Sequence, residues 1–359
     1  MLEELDVQAL ESATALPARF YHGESSHRLD RRAVFAQSWQ LISPASRLAA
    51  PGDHVVGEIA DVPVILVRGY DGRLRGFHNV CRHRAGPLAT CDGRGARALR
   101  CRYHGWTYDF DGRLRSAPDM DGAAGFDPAD VRLPAIRVSA WRGLVFGALG
   151  DSPPSLDELL AGLDERLPDG ALAGYVFHRR VSYDIACNWK VYVDNYLEGY
   201  HVPHVHPALN RMLDYRSYAT GTGRWHSLQH SPLESAGELY GAGEALYFYV
   251  WPNTMLNILP DRLQTNRVVP AGDARCRVDF DYYYPGEVDA EARHAGDQAF
   301  SDEVQAEDVM ICEQVQRGLS SGSYVAGRLN PRRESGVHHF HELLRAAYRP
   351  DAGEAQSGG

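Results

Sequence analysis

Asn79-Val-Cys81-Arg-His83-Arg84 and Cys101-Arg-Tyr-His104-Gly-Trp106 are two short segments that each place one thiol beside one imidazole. Between them lie Gly86, Pro87, Gly93 and Gly95, the punctuation of loops rather than of a continuous strand or helix. Outward from each segment the chain reads as a hairpin. Residues 62–68, Val-Pro-Val-Ile-Leu-Val-Arg, form a compact apolar run, Asp71-Gly72 supplies a turn, and 73–77 return. Residues 106–110, Asp111-Gly112 and Arg113-Leu114 follow the same recipe, because Asp-Gly tolerates the positive φ of a tight turn. Residues 38–150 therefore read as a small antiparallel β domain whose loops project two thiolates and two imidazoles side by side.

Three chemistries compete for such a set. The pairs could be coincidental, or a Cys2His2 zinc site, although a Cys-x-His arm is unusual for zinc and no recognition helix follows. They could also hold a Rieske cluster, in which two Cys bind one iron and two His the other. The two segments, with the Tyr108-Asp-Phe-Asp111-Gly112 hairpin, resemble the Rieske domain of aromatic-ring-hydroxylating and related oxygenases from about residue 39 to residue 118. That resemblance implies a [2Fe–2S] cluster held by Cys81, His83, Cys101 and His104. Arg102 stands where the family usually carries Pro, and Cys91 and Cys187 fall outside the pattern as plain core or surface thiols.

A second constellation occupies residues 188–207, where Asn188-Trp-Lys190 opens a run containing Asp194, Glu198, His201, His204 and His206. Residues 188 to about 201 read as helix. On an undisturbed helix His201 and His206 would stand about 140° apart. Pro203 lacks an N–H and breaks the helix between them, so the chain can turn both rings toward one point. His204 could equally pair with His201 at i,i+3 spacing, and geometry alone does not choose. A third donor comes from an amphipathic helix over 301–319, whose apolar stripe is Val304, Ile311, Val315 and Leu319. Asp308 falls on that stripe, where a carboxylate is costly unless paired or coordinated. Glu303, Glu307 and Gln314 fall on another face and read as solvated.

The same oxygenases share the Asn-Trp-Lys start, an acid three residues before the first histidine ligand and a second histidine five residues after it. The resemblance therefore implies that His201 and His206, with Asp308, bind a mononuclear Fe(II) as a two-histidine, one-carboxylate triad. It also implies that Glu198 bridges toward a Rieske histidine of a neighbouring subunit and carries electrons between subunits. Glu at that position, and the sequence of residues 307–319, resemble the choline, carnitine and glycine-betaine branch.

The remainder of the chain sets boundaries. Residues 1–37 read as a polar helical arm packed on the outside, 38–150 as the Rieske domain, 151–350 as the mononuclear-iron domain and 351–359 as a disordered tail. Asp151-Ser-Pro-Pro154 marks the joint, and a short helix ends near Leu167. Strands are expected at 177–185, 246–259 and 276–284. The fold class is α+β: a Rieske β domain plus, as the resemblance implies, a helix-grip (START/Bet v1-like) catalytic domain of antiparallel sheet around a long helix. A formal charge of −10 argues against a nucleic-acid partner, and no apolar run is long enough for a membrane span. Six cysteines without a secretory leader fit a reducing cytoplasm.

By resemblance the chain is an oxygenase that uses O2, forms a homotrimer and takes electrons from a separate NAD(P)H-dependent reductase, directly or through a ferredoxin. No dinucleotide fingerprint occurs in the chain itself. The expected substrate is a small methylated amine or quaternary ammonium compound, to be hydroxylated or oxidatively N-demethylated. An aromatic ring or natural-product intermediate is the alternative, and a Rieske electron-transfer protein is the reading from another class. Tyr247, Tyr249, Trp251 and Asn253, with Met255 and Asn257, form the expected pocket wall, aromatic enough for cation–π attraction.

Overall fold

The first hairpin forms where the sequence places it, as β3 (Val62–Arg68) and β4 (Leu74–His78) joined through Asp71-Gly72. Gly72 and Gly112 take φ of 75° and 86°, the left-handed backbone that a β-carbon disfavours. Val64 to Val67 are all buried because β3 separates two cores. Ile65 and Val67 pack with Cys81, Cys101, Trp106 and Tyr108, whereas Val64 and Leu66 pack with Ile42, Val55 and Val145. Each fully buried side chain of this kind contributes about 1.5–3 kcal/mol. β1 (Gln40–Pro44), β2 (His54–Ile59), β8 (Ala135–Trp141) and β9 (Leu144–Ala148) complete a six-stranded antiparallel sheet in the order β1-β9-β8-β4-β3-β2. A smaller sheet of β5 (Leu99–Arg100), β6 (Thr107–Tyr108) and β7 (Leu114–Ser116) carries the second Cys/His segment between its first two strands.

The computed structural model describes residues 3–213, 216–233, 243–286 and 291–357, without the side chains of 291–293 and 351–357. Its chain divides into one unit of Phe35–Pro154, just described, and a second of Met1–Val34 with Ser155–Gly359. The second unit contains a seven-stranded antiparallel sheet in the order β10-β16-β15-β14-β13-β12-β11. These strands are β10 (Tyr175–Ile185), β11 (Ala219–Thr222), β12 (His226–Leu233), β13 (Gly243–Val250), β14 (Thr254–Leu259), β15 (Arg262–Pro270) and β16 (Cys276–Pro285). Its helices are α1 (Glu24–Leu29), α2 (Leu156–Arg166), α3 (Trp189–Tyr196), α4 (Val202–Val205), α5 (Pro207–Met212), α6 (Glu291–Leu319) and α7 (Ser335–Ser357). Ser155 caps α2 by accepting from the Glu158 N–H at 3.1 Å, and Asn188 caps α3 by accepting from the Lys190 N–H at 3.0 Å.

Several expectations are corrected here. The 188–201 helix ends at Tyr196 and gives way to a turn at Glu198–Tyr200. Pro203 therefore does not break a helix; it sits in the first turn of α4, where a missing N–H costs nothing. The 246–259 strand is two strands, β13 and β14, paired across Trp251-Pro252-Asn253. Within the expected arm of 1–37, the described residues from Glu3 on are not one external polar helix: short 3₁₀ turns, α1 and a π turn at Asp30–Val34 follow one another, and Leu5, Leu16, Phe20, Tyr21 and Val34 are buried. Asp30 is buried there as well. It accepts from Trp189 Nε1 at 2.8 Å and pairs with Lys190, and the Tyr348 hydroxyl donates to it, which gives the chain's one lysine a structural partner. Helical backbone runs as far as Ser357, through most of the expected tail.

The stripe on α6 also differs. Its buried side chains are Asp297, Gln298, Ser301, Gln305, Cys312, Gln316 and Leu319, while Val315 is exposed. This face docks on the sheet through polar pairs: Arg262 with Asp297 at 2.6 Å, Gln264 with Ser301 at 2.9 Å and Tyr284 with Asp297 at 2.7 Å. A hydrophobic pattern cannot reveal a face that is buried by hydrogen bonding.

Candidate functional site

The two Cys/His segments fold into matching loops. Cys81 N donates to Gly86 O and Ala85 N to Cys81 O; Cys101 N donates to Trp106 O and Gly105 N to Cys101 O, all between 2.9 and 3.0 Å. A β-carbon at Gly86 would lie 2.9 Å from Cys101 Sγ, so the first loop approaches the second thiol through a residue without a side chain. Both thiols are buried, and burial followed by the neighbouring Cys81 thiol raises the pKa of Cys101. Tyr108 OH lies 3.3 Å from Cys81 Sγ and accepts from Arg82 N at 3.0 Å. On the outer side, His83 Nδ1 and His104 Nδ1 are 3.1 Å apart, and the His83 ring stacks on Trp106 at 4.8 Å. Among the described residues the one set of three or more donors gathered within 4.8 Å lies elsewhere, so these four atoms do not close around one ion. Two thiolates at one end and two imidazoles at the other fit a binuclear cluster and not a tetrahedral zinc site.

The set that does gather is His201, His206 and Asp308. The two Nε2 atoms lie 3.2 Å apart, and Asp308 Oδ1 lies 3.0 Å from His206 Nε2 and 3.8 Å from His201 Nε2. His204, the open alternative, is exposed and outside the set. Glu198 accepts from His201 Nδ1 at 2.6 Å and from the backbone N–H groups of Tyr200 and His201. Burial by itself lowers the pKa of His206, but the adjoining Asp308 and then Glu307 carboxylates outweigh it and raise the pKa.

Glu307, expected to be solvated, is here in contact with His206 Nδ1 at 2.7 Å. Asn195, not singled out in the sequence, donates to Asp308 Oδ1 at 2.6 Å. The available signal for Glu307 was chemical: a metal-bound imidazole usually gives its second ring N–H to an acceptor, and Glu307 adjoins Asp308.

Two cavities meet at this point, with Asn195, Glu198 and His201 lining both. The first, of about 130 Å³, also reaches His206 and Asp308. The aromatic residues Tyr196, Tyr218, Tyr247, Phe280 and Phe300 line it, together with the carboxamide residues Gln229, Asn257 and Gln264. Of the six residues of the expected wall, Tyr247 and Asn257 line it. Tyr249 shares Tyr247's sheet face but packs on Phe340 at 5.6 Å, Trp251 faces the same ring at 6.1 Å, and Asn253 is buried in the turn donating to Val268 O. The second cavity, of about 490 Å³, is lined by Tyr21, Asp194, Glu334 and His341 among others.

Residues 38–132 match the Rieske [2Fe-2S] domain, and residues 172–349 match the catalytic domain of the ring hydroxylating alpha subunit. The chain belongs to the Rieske oxygenase family. This Rieske oxygenase is 36% identical over 354 residues to choline monooxygenase of Arabidopsis thaliana, covering 93% of this chain and 83% of that one. It is 30% identical to the carnitine monooxygenase oxygenase subunit of Escherichia coli K12, over 94% and 95% of the two chains. The solved quaternary ammonium Rieske monooxygenase CntA with L-carnitine superposes with a TM-score of 0.85 at 26% identity, over 96% and 99% of the chains.

As an oxidoreductase of this family, the chain has a [2Fe–2S] cluster and a mononuclear iron as cofactors. The catalytic-domain match removes the reading as an electron carrier alone. Among the described residues, no helix is long and apolar enough to cross a membrane.

Proposed function

We propose that this Rieske oxygenase hydroxylates or oxidatively N-demethylates a small methylated amine, with a quaternary ammonium compound as the preferred class. The observation that carries this reading is the aromatic cavity that ends on His201, His206 and Asp308. Tyr and Phe faces attract an ammonium group and its methyls through their quadrupoles. Arg262 is the only cation among the described lining residues, and it is matched by Asp297 at 2.6 Å, so the wall opposes a cationic substrate little. The names of the choline and carnitine relatives point the same way.

In this reading Cys81, His83, Cys101 and His104 hold the cluster, and His201, His206 and Asp308 hold the mononuclear iron. When bound, these groups supply electrons and activation of dioxygen. The protein's own work is to orient ligands, seat the substrate and keep water out. Tyr196 is fixed for this by donating to Asn257 Oδ1 at 2.7 Å, and Tyr218 by donating to Gln229 Oε1 at 3.0 Å. Glu198 holds the N–H of His201 on one side and faces the second cavity on the other, which suits it to bridge toward a Rieske histidine of a neighbouring subunit in a homotrimer. A separate NAD(P)H-dependent reductase, directly or through a ferredoxin, supplies the electrons.

The test is product analysis with labelled dioxygen and a reductase, on a panel of methylated amines and aromatic acids. Aldehyde release or label in a methylated amine is the expected result. Label in an aromatic product with every amine untouched would overturn it.

A further inference from the structure

The two imidazoles of the site are held alike, by carboxylates from different parts of the chain. Each turns Nε2 inward, toward the other and toward Asp308. Each turns Nδ1 outward to an acid, His201 to Glu198 at 2.6 Å and His206 to Glu307 at 2.7 Å. Glu198 lies in the same turn as its histidine and is fixed by two backbone N–H groups. Glu307 comes from α6, 101 residues away along the chain and adjacent to Asp308.

A ring nitrogen can donate to Glu307 only when Nδ1 carries the hydrogen, which leaves the Nε2 lone pair available to a metal. His206 is 1% exposed, so water is a poor substitute acceptor. A shift of α6 would displace the Asp308 donor and the support of His206 together.

Taking His201, His206 and Asp308 as the iron ligands, as proposed above, we propose that Glu307 is the positioning residue of His206. It accepts the Nδ1–H, holds Nε2 toward Asp308 and so sets how tightly the mononuclear iron is retained. Its side chain touches neither substrate nor the reacting atoms; it acts through the ring. Glu198, already committed to two backbone donors and to His201, cannot replace it.

The experiment follows release of Fe(II) from the intact holoenzyme to a coloured chelator, with the visible spectrum of the cluster as an internal check of folding. Glu307→Ala should release the iron about 10- to 100-fold faster than wild type while the cluster spectrum is unchanged. Glu307→Gln keeps an acceptor oxygen for the Nδ1–H and should recover most of that loss, whereas Glu307→Met, of similar volume but without an acceptor oxygen, should not; a merely space-filling role predicts recovery in both. Release from Glu307→Ala within about twofold of wild type would overturn the proposal, given the range expected for such supports. So would equal loss in Ala and Gln with the cluster intact. If Glu307→Ala loses its cluster, Glu307→Met beside Glu307→Gln decides: clearly faster release in Met than in Gln supports the proposal, and equal release in the two overturns it. Asp308→Ala is the control for the ligand set, since retention of chelatable iron in that variant would sink the set itself and not the role of Glu307.

Discussion

Cys81 to His104 and His201 to Asp308 both aim several donors at a small volume, but they use the chain differently. The first set comes from two loops with the same backbone hydrogen-bond pattern, close in sequence, inside one small β unit. Its thiols lie in the hydrophobic core and its imidazoles toward the surface, where Tyr103 is 57% exposed. The second set joins a broken helical segment to a distant helix, and its supports, Glu307 and Asn195, come from those same two elements. A local site can be written as a motif. A site assembled across the fold depends on everything that holds α6 to the sheet.

The largest expected effects separate the two sets. Asp308→Ala should remove the chelatable iron, leave the cluster spectrum intact and lower turnover at least about 1000-fold, as loss of an essential group does. Cys101→Ser should do the reverse, losing the cluster spectrum and retaining the chelatable iron. Metal analysis beside visible spectra checks both, and loss of both centres in either variant would break the comparison.

Glu198→Gln should keep both centres and slow turnover by about 10- to 100-fold with little change in KM. Steady-state kinetics with iron analysis checks it, and a rise in KM alone would move Glu198 to substrate binding.

Next in size is the frame of the second unit. Lys190→Met leaves buried Asp30 without its ammonium partner and should cost about 3–5 kcal/mol in denaturant unfolding. An effect under about 1 kcal/mol would show that the Trp189 and Tyr348 donors suffice for Asp30.

The smallest effect concerns Glu334 in the second cavity. Burial first, then the Glu198 and Asp194 carboxylates, raise its pKa in the folded state. A folded pKa above the unfolded value gives stability that is complete below the unfolded pKa and is lost as pH rises through the folded one. Glu334→Gln should therefore match wild type near about pH 4 and gain relative stability as pH rises, because only wild type then acquires the extra charge. Thermal unfolding across pH measures this, and a constant difference would show that folding does not raise the Glu334 pKa.

Much of this was legible in the sequence for identifiable reasons. Asp-Gly turns between apolar runs specify hairpins locally, and Cys/His pairs flanked by Gly and Pro specify ligand loops. Residues 188–207 were legible as a ligand segment, but geometry at the sequence level could not choose between His204 and His206. The chain's path chose, by stopping α3 at Tyr196 and starting α4 at Val202, so that His206 turns inward and His204 outward. Of the expected pocket wall, Tyr247 and Asn257 line the first cavity, and Tyr249, Trp251, Asn253 and Met255 do not. Alternation gives the face of a strand and not how far along it another element sits; α7 covers Tyr249 and Trp251 with Phe340.

By itself the sequence determined the chemistry: which donors are present, at what spacing, in which of two domains, and hence a Rieske-type centre followed by a non-haem iron site. Only the tertiary structure decided which second partners those donors have and which aromatic residues line the cavity beside His201, His206 and Asp308. The physical reason is that α6 is buried through polar pairs, Arg262 with Asp297 and Gln264 with Ser301. Hydrophobic periodicity is blind to such a face; Glu307 lies on a different one, 26% exposed, and is a partner only because the path of residues 202–206 brings His206 Nδ1 to it.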